Sequence, residues 1–191
     1  MIIPVSENIP EGFRTKHYSI KPSHPSDNAR DYAAVMDSKA YLRLWSDSSW
    51  PEDNFSPEEN RADLEMHFRE HLERKAFGYN IHNHDQTHCH GSIYLNSTAF
   101  IAENYRPQLN GLDRFQIVVS MWTSDALREA GHAREMLSAL RRWLAQDWPV
   151  EKVLYSLRAN LELERSDYIA CGLKQRWSLA SAEGRVLYLF A

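Results

Sequence analysis

The sequence predicts an α/β domain built on a mixed, mostly antiparallel sheet. Residues 115–148 join an apolar, β-branched run, Phe115 to Trp122, to Met136, Leu137, Leu140, Trp143 and Leu144 at helical spacing, which predicts a buried strand feeding an amphipathic helix. Further upstream, Phe77, Tyr79 and Ile81 alternate with Gly78, Asn80 and His82, and the chain resumes after a polar stretch at Gly91, which predicts an antiparallel hairpin over 77–96. The remaining segments fall into the order two helices, hairpin, strand–helix, then strand–helix–strand–strand, and helices interleaved with strands in this way imply one α/β sheet.

Taken from the start, residues 1–14 carry Pro4, Pro10 and Gly12 and predict an irregular arm, leaving 15–191 as a single domain with one core. His17 to Lys21 alternates as a short strand that Pro22 ends. A turn-rich connector follows, with Asp27 placed to cap a helix over about 29–45 whose apolar face is Tyr32, Val35, Met36, Tyr41, Leu42 and Trp45. The polar loop Ser46 to Phe55 leads to Ser56, Pro57 and Glu59, a capping box that starts a second helix over about 57–75. Leu64, Phe68, His71 and Leu72 face its core side, and its many charges are expected to form a solvated face. Residues 97–114 form a long connection before the 115–148 unit, and connections of that length are often functional. Beyond it lie a strand over Val153 to Leu157, a short helix over Leu161 to Ala170, and two closing strands, Lys174 to Leu179 and Arg185 to Phe190, about Ala182-Glu183-Gly184. About four helices therefore flank the sheet.

Composition narrows the function. The formal net charge is -4 over 191 residues, without the basic excess of a general nucleic-acid binder. The N-terminal stretch lacks a basic region followed by a long apolar core, and no apolar run reaches the roughly 20 residues that span a bilayer, so a cytoplasmic protein without membrane partners is expected. Cys89 and Cys171 have no CxxC spacing and are expected to be reduced thiols, with Cys171 a core residue rather than a nucleophile. GxSxG and HExxH are both absent, which leaves hydrolase chemistry without a carrier.

The turn between strand and helix has a chemical use. A helix start presents unpaired N–H groups and the positive end of the macrodipole to an anion, and Gly131 lets the backbone approach it. The run Arg128-Glu129-Ala130-Gly131-His132-Ala133 resembles the Arg/Gln-x-x-Gly-x-Gly/Ala signature of the GNAT (GCN-related) N-acetyltransferase superfamily. The resemblance is motif-specific from Phe115 to Gly172-Leu173, and extends as architecture over about residues 15–191. It implies a GNAT-like sheet whose central parallel pair splays apart, acetyl-coenzyme A as co-substrate in the cleft, no metal, and direct attack by an amine in a ternary complex. Arg128 to Ala133 would then grip the pyrophosphate, the Arg128 side chain adding charge, while the backbone N–H groups of Met121, Trp122 and Thr123 polarise the thioester carbonyl. Asn160 would be a further cofactor contact, although it lies eight residues before Tyr168 where the family commonly has seven. Tyr168 would be the general acid for the departing thiolate; a packed aromatic with a satisfied hydroxyl is the alternative.

Candidate bases are Glu103 in the long connection and Glu52 and Asp53 in the inter-helix loop, each with a surface carboxylate as the alternative. The acceptor pocket would draw on the loop 46–55, the closing hairpin and the end of the central strand, with Trp50 and Trp122 as candidate linings. One feature stands outside the resemblance: a tight turn would put His82, His84, His88 and His90 on one hairpin face, a candidate zinc, copper or nickel site and so a regulatory element. A non-catalytic acyl-coenzyme A sensor on the same fold is the alternative function. The sequence specifies neither the acceptor, the acyl chain length, nor the choice between monomer and homodimer.

Overall fold

The computed structural model describes residues 2–105, 110–181 and 184–191, the side chains of 102–104 excepted. An eight-stranded sheet in the order β1-β2-β3-β4-β5-β6-β8-β7 forms the centre. Its strands are β1 (Phe13–Arg14), β2 (Tyr18–Pro22), β3 (Ala76–Asn83), β4 (Cys89–Ser97), β5 (Ile117–Thr123), β6 (Val153–Arg158), β7 (Gln175–Ala180) and β8 (Val186–Phe190). Every neighbouring pair is antiparallel except β5 and β6, which run parallel.

The parallel pair explains the cleft. Its partners are Ile117↔Val153, Val118↔Leu154 and Val119↔Tyr155, and there the pairing ends. β5 runs on to Thr123 paired only with β4, and β6 runs on to Arg158 paired only with β8, so the sheet opens as a wedge at their C-terminal ends.

Two layers of helix cover the sheet. On one face α6 (Ala133–Asp147) buries Met136, Leu137, Leu140, Trp143 and Leu144 against Ile117 and Val119, and α7 (Glu162–Ala170) adds Tyr168 against Tyr155, Leu157 and Phe190. Each such apolar side chain contributes about 2 kcal/mol of burial. Edge-on contacts of Trp143 with Tyr79 at 5.1 Å and of Trp148 with Phe77 at 5.0 Å close this core. The other face carries α1 (Asn28–Asp37), α2 (Lys39–Ser46), α3 (Pro57–Leu72) and α4 (Ala99–Tyr105). There Ala34, Val35 and Leu42 pack with Trp122, and Ile101 packs with Val118, Leu154 and Leu189.

Several expectations change. The helix expected over 29–45 breaks at Ser38, which is buried with φ -97° and ψ 12°, and the break separates α2 from α1. Asp27 flanks α1 without a capping hydrogen bond; it binds Arg30 instead. The arm is partly absorbed, since Ile3 is in the core and Phe13–Arg14 pairs with β2. The 97–114 connection contains α4 and a 3-10 turn at Leu112–Arg114. Between strand and helix at the central motif sits an extra short helix, α5 (Asp125–Glu129), so that seven α-helices lie among the described residues instead of about four. The capping box at Ser56 forms, with the Ser56 N–H donating to Glu59 Oε2 at 2.8 Å and the Glu59 N–H to Ser56 Oγ at 3.2 Å. No helix among the described residues is long and apolar enough to cross a membrane.

Candidate active site

The wedge exposes the edge of β5. Ser156 Oγ donates to the Val119 carbonyl at 3.2 Å, Trp45 Nε1 donates to the Met121 carbonyl at 2.9 Å, and the Arg128 guanidinium donates to the Thr123 carbonyl. A strand residue turns its N–H and C=O to the same side, so Met121 and Thr123 also aim their N–H groups into the opening, beyond the last pair with β6. Trp122 has the opposite phase: its partner is Ser92 of β4, and its side chain is 1% exposed in the core beneath α1 and α2. The expected N–H contact and pocket-lining role of Trp122 are therefore corrected by strand alternation, which turns its N–H to β4 and its ring into the core.

On the α6 side, Ser124 caps α5, its Oγ accepting the Leu127 N–H at 3.3 Å. The N–H groups of Arg128, Ala130, Gly131 and His132 are spent within the turn, on the carbonyls of Ser124, Ala126, Arg128 and Leu127 at 2.9–3.2 Å. The amides left outward are those of the first turn of α6, Ala133 to Glu135. Gly131 has φ +73°, and a Cβ there would meet nothing within 4 Å. Glycine is therefore favoured by the backbone at this position, and the space beside it is open.

That cleft has a volume of about 850 Å³, and its walls include Tyr41 and Leu44 of α2, Gly131, Ala133 and Asn160. The Arg128 guanidinium lies 3.4 Å over the Tyr41 ring and binds Asp125, so it braces α5 against α2 at the border of the cleft. Asn160 Nδ2 donates to the Leu44 carbonyl at 3.0 Å and fastens the end of α2. Arg134 Nε binds Asp167 at 2.8 Å, while Glu129, Glu162 and Glu164 border the same space. His132 stacks on His17 at 4.2 Å and binds the Tyr18 hydroxyl through Nδ1 at 3.0 Å.

Tyr168 sits beneath the wedge, 4% exposed, its hydroxyl donating to the Ser156 carbonyl at 3.3 Å. Burial pushes its phenol well above the ordinary range, with Tyr41 and Tyr155 adding to the effect.

A second cavity of about 530 Å³ opens from the other face of the sheet, with Ser120 and Ser156 at the wedge end and Trp45, Trp50 and Tyr94 among its walls. Asp63, His67 and Glu70 of α3 complete it. They had been assigned to a solvated face; the signal for them was the i, i+4, i+7 spacing, which puts all three on one stripe. Burial lowers His67 and raises Asp63.

Two of the bases expected from the sequence, Glu52 and Asp53, are exposed on the inter-helix loop. Asp53 is bound by Lys39 at 2.6 Å and Arg43 at 2.8 Å on the surface, and these hydrogen bonds hold its carboxyl down at about 2. Glu52 accepts from Ser49, and Glu103 falls within α4 with its side chain outside the described residues. The histidine hairpin is scattered by a bulge between Asn80 and His82: His82 pairs with Cys89 and is 1% exposed, while His84 bonds Ser19 and the Lys16 carbonyl. No group of three or more metal-binding side chains occurs among the described residues. Cys89 is buried and Cys171 half-buried, its Sγ 3.2 Å from Ser138 Oγ.

No family model matches the sequence, and comparison with curated proteins finds no match. Solved structures do match. The chain is similar to RimL, a ribosomal L7/L12 α-N-protein acetyltransferase, in complex with coenzyme A, with a TM-score of 0.71, 15% identity and coverage of 92% of this chain and 93% of that one. It is similar to the microcin C7 self-immunity acetyltransferase MccE with acetyl-CoA and AMP, at TM-score 0.72, 11% identity and coverage of 95% and 96%. Likewise it resembles a ribosomal-protein-S5-alanine acetyltransferase from Vibrio fischeri, at TM-score 0.68, 15% identity and 94% of both chains. At these identities the likeness establishes the fold.

Proposed function

We propose that this chain, which has the GNAT fold, is an N-acetyltransferase that passes the acetyl group of acetyl-coenzyme A directly to an amine in a ternary complex. The observation that carries the reading is a pair of cavities bordered by consecutive residues of α2, Leu44 for one and Trp45 for the other. The larger borders a glycine turn and a helix start, as a pyrophosphate requires, and the smaller reaches Ser120 and Ser156 from the opposite face. Between them, the N–H groups of Met121 and Thr123 face the position of a thioester carbonyl and would stabilise the charge that develops on its oxygen. Tyr168, whose hydroxyl donates to the Ser156 carbonyl beside the opening, would give its proton to the departing thiolate. A cytosolic setting suits this reading, since both cysteines are unpaired. Two of the structural neighbours are named for ribosomal-protein acceptors and a third for self-immunity to a microcin, so both protein and small-molecule amines are options.

Calorimetric titration of acetyl-coenzyme A into wild type and Gly131→Glu tests the proposal. Binding to wild type that is lost in the variant, with circular dichroism unchanged, supports the cofactor site; a wild type that does not bind overturns it. Binding without transfer to any amine in a broad screen would favour the non-catalytic sensor.

A further inference from the structure

We propose that His67 accepts the proton of the acceptor amine, and that the acceptor is a primary ammonium on an aromatic or apolar body, its charge beside Asp63 and Glu70 and its body against Trp45, Trp50 and Tyr94. The inference rests on the acetyl-transfer reading. Three independent features lead to it. Asp63, His67 and Glu70 stand on one stripe of α3, and that stripe faces the cavity that reaches the wedge at Ser120 and Ser156. Among the described lining residues the α3 side carries two carboxylates, Asp63 and Glu70, against one guanidinium, Arg158, which donates to the Tyr105 hydroxyl. Aromatic faces line the remainder, and an ammonium is attracted to such faces as well as to carboxylates.

The imidazole is suited to the proton. His67 Nδ1 lies 3.8 Å from Glu70 Oε2, and its ring centre is 5.1 Å from that of Tyr94 at 45°. Among the described residues, the charged and titratable groups that face it are Asp63 and Glu70 on its own helix and Tyr94 from β4. Desolvation keeps the ring neutral near pH 7, so it holds a lone pair for the incoming ammonium, and the two carboxylates then stabilise the imidazolium. The proton count closes. His67 takes one proton from the ammonium and releases it to water; the amine nitrogen bonds the carbonyl carbon as the carbon–sulfur bond breaks, Tyr168 protonates the thiolate to the free thiol, and the nitrogen's second proton restores the Tyr168 phenol. The net products are the amide, the thiol and one proton.

The test is steady-state acetylation of 2-phenylethylamine, with phenylalanine as the zwitterionic comparison, by wild type, His67→Gln and Glu70→Gln, each first shown by calorimetry to bind acetyl-coenzyme A. We expect kcat/KM for 2-phenylethylamine to exceed that for phenylalanine by about tenfold or more, because the phenylalanine carboxylate meets Asp63 and Glu70. His67→Gln should lower kcat by about 100-fold near pH 7 and lose the acidic limb of the pH profile, its rate then rising with the free-amine fraction. Glu70→Gln should raise KM about tenfold and lower kcat by about tenfold, since both the bound ammonium and the imidazolium lose one carboxylate; wild-type KM and kcat in this variant overturn the placing of the ammonium beside Glu70. A His67→Gln enzyme with wild-type kcat and pH profile overturns the base assignment. Equal use of the two amines, or of neither while acetyl-coenzyme A still binds, overturns the acceptor class. Wild type that fails to bind acetyl-coenzyme A instead overturns the parent reading.

Discussion

The Tyr168 hydroxyl donates to the main-chain carbonyl of Ser156, the first β6 residue past the point where the parallel pair separates. The general acid proposed for this chain is therefore tied to the wedge itself. Tyr168→Phe removes one modest hydrogen bond from a ring otherwise held by Phe190 at 5.2 Å, so stability should fall by no more than about 1 kcal/mol. Turnover should fall by about 100-fold while the calorimetric affinity for acetyl-coenzyme A stays within about threefold. Equal turnover in the two proteins would remove Tyr168 from the chemistry.

Trp45 links α2 to the open edge of β5 through its bond to the Met121 carbonyl. Trp45→Phe keeps an aromatic ring but leaves that carbonyl without its donor and loosens the strand whose N–H groups face the thioester. A loss of about 1 kcal/mol corresponds to about fivefold weaker acetyl-coenzyme A binding, measurable by calorimetry with the fold checked by circular dichroism.

Hydrophobic period carried most of the fold: strand alternation in β3 and the helical repeat of α6 left little freedom in those elements. The break at Ser38 left no mark because neither Pro nor Gly stands there, and the 3.6-residue period continues across it. Likewise α5 hid in a turn, since five residues are too few for a period. For the site, the Gly131 motif was visible as local chemistry. The acceptor side was not, because Asp63, His67 and Glu70 look solvated until Trp45, Trp50 and Tyr94 are brought opposite them by contacts remote in sequence.

Gly131→Ala separates backbone strain from occupancy of the cleft. With φ +73° the substitution should cost about 1 kcal/mol, a fall in Tm of about 3 °C, although the methyl meets no atom within 4 Å in the free protein. The methyl projects into the cleft, so acetyl-coenzyme A affinity should drop by about tenfold, more than the stability change accounts for. An unaltered affinity would mean that the anion passes elsewhere.

Asp31 anchors the helical layer that carries the acceptor side. It is 6% exposed and accepts from Asn60 Nδ2 at 2.9 Å and Asn80 Nδ2 at 2.6 Å, joining α1 to α3 and β3. Burial is the main cause that raises its carboxyl, while the two amides act in the opposite sense. A carboxyl whose folded value exceeds its unfolded one binds more protons in the native state over the interval between them. Its contribution to stability is therefore greatest in acid and declines as pH rises from about 4 through the folded value. Asp31→Asn has no proton to bind there, so its unfolding free energy should lack that decline, seen as a flatter pH dependence of the urea midpoint. Asp31→Ala takes one acceptor from each of two buried amides, leaving Asn60 with Asn28 Oδ1 and Asn80 with Cys89 Sγ, and should destabilise by about 2 kcal/mol, lowering Tm by about 6 °C. A pH dependence identical in wild type and Asp31→Asn would show that the carboxyl stays ionised in the fold, with the asparagine amides outweighing its burial.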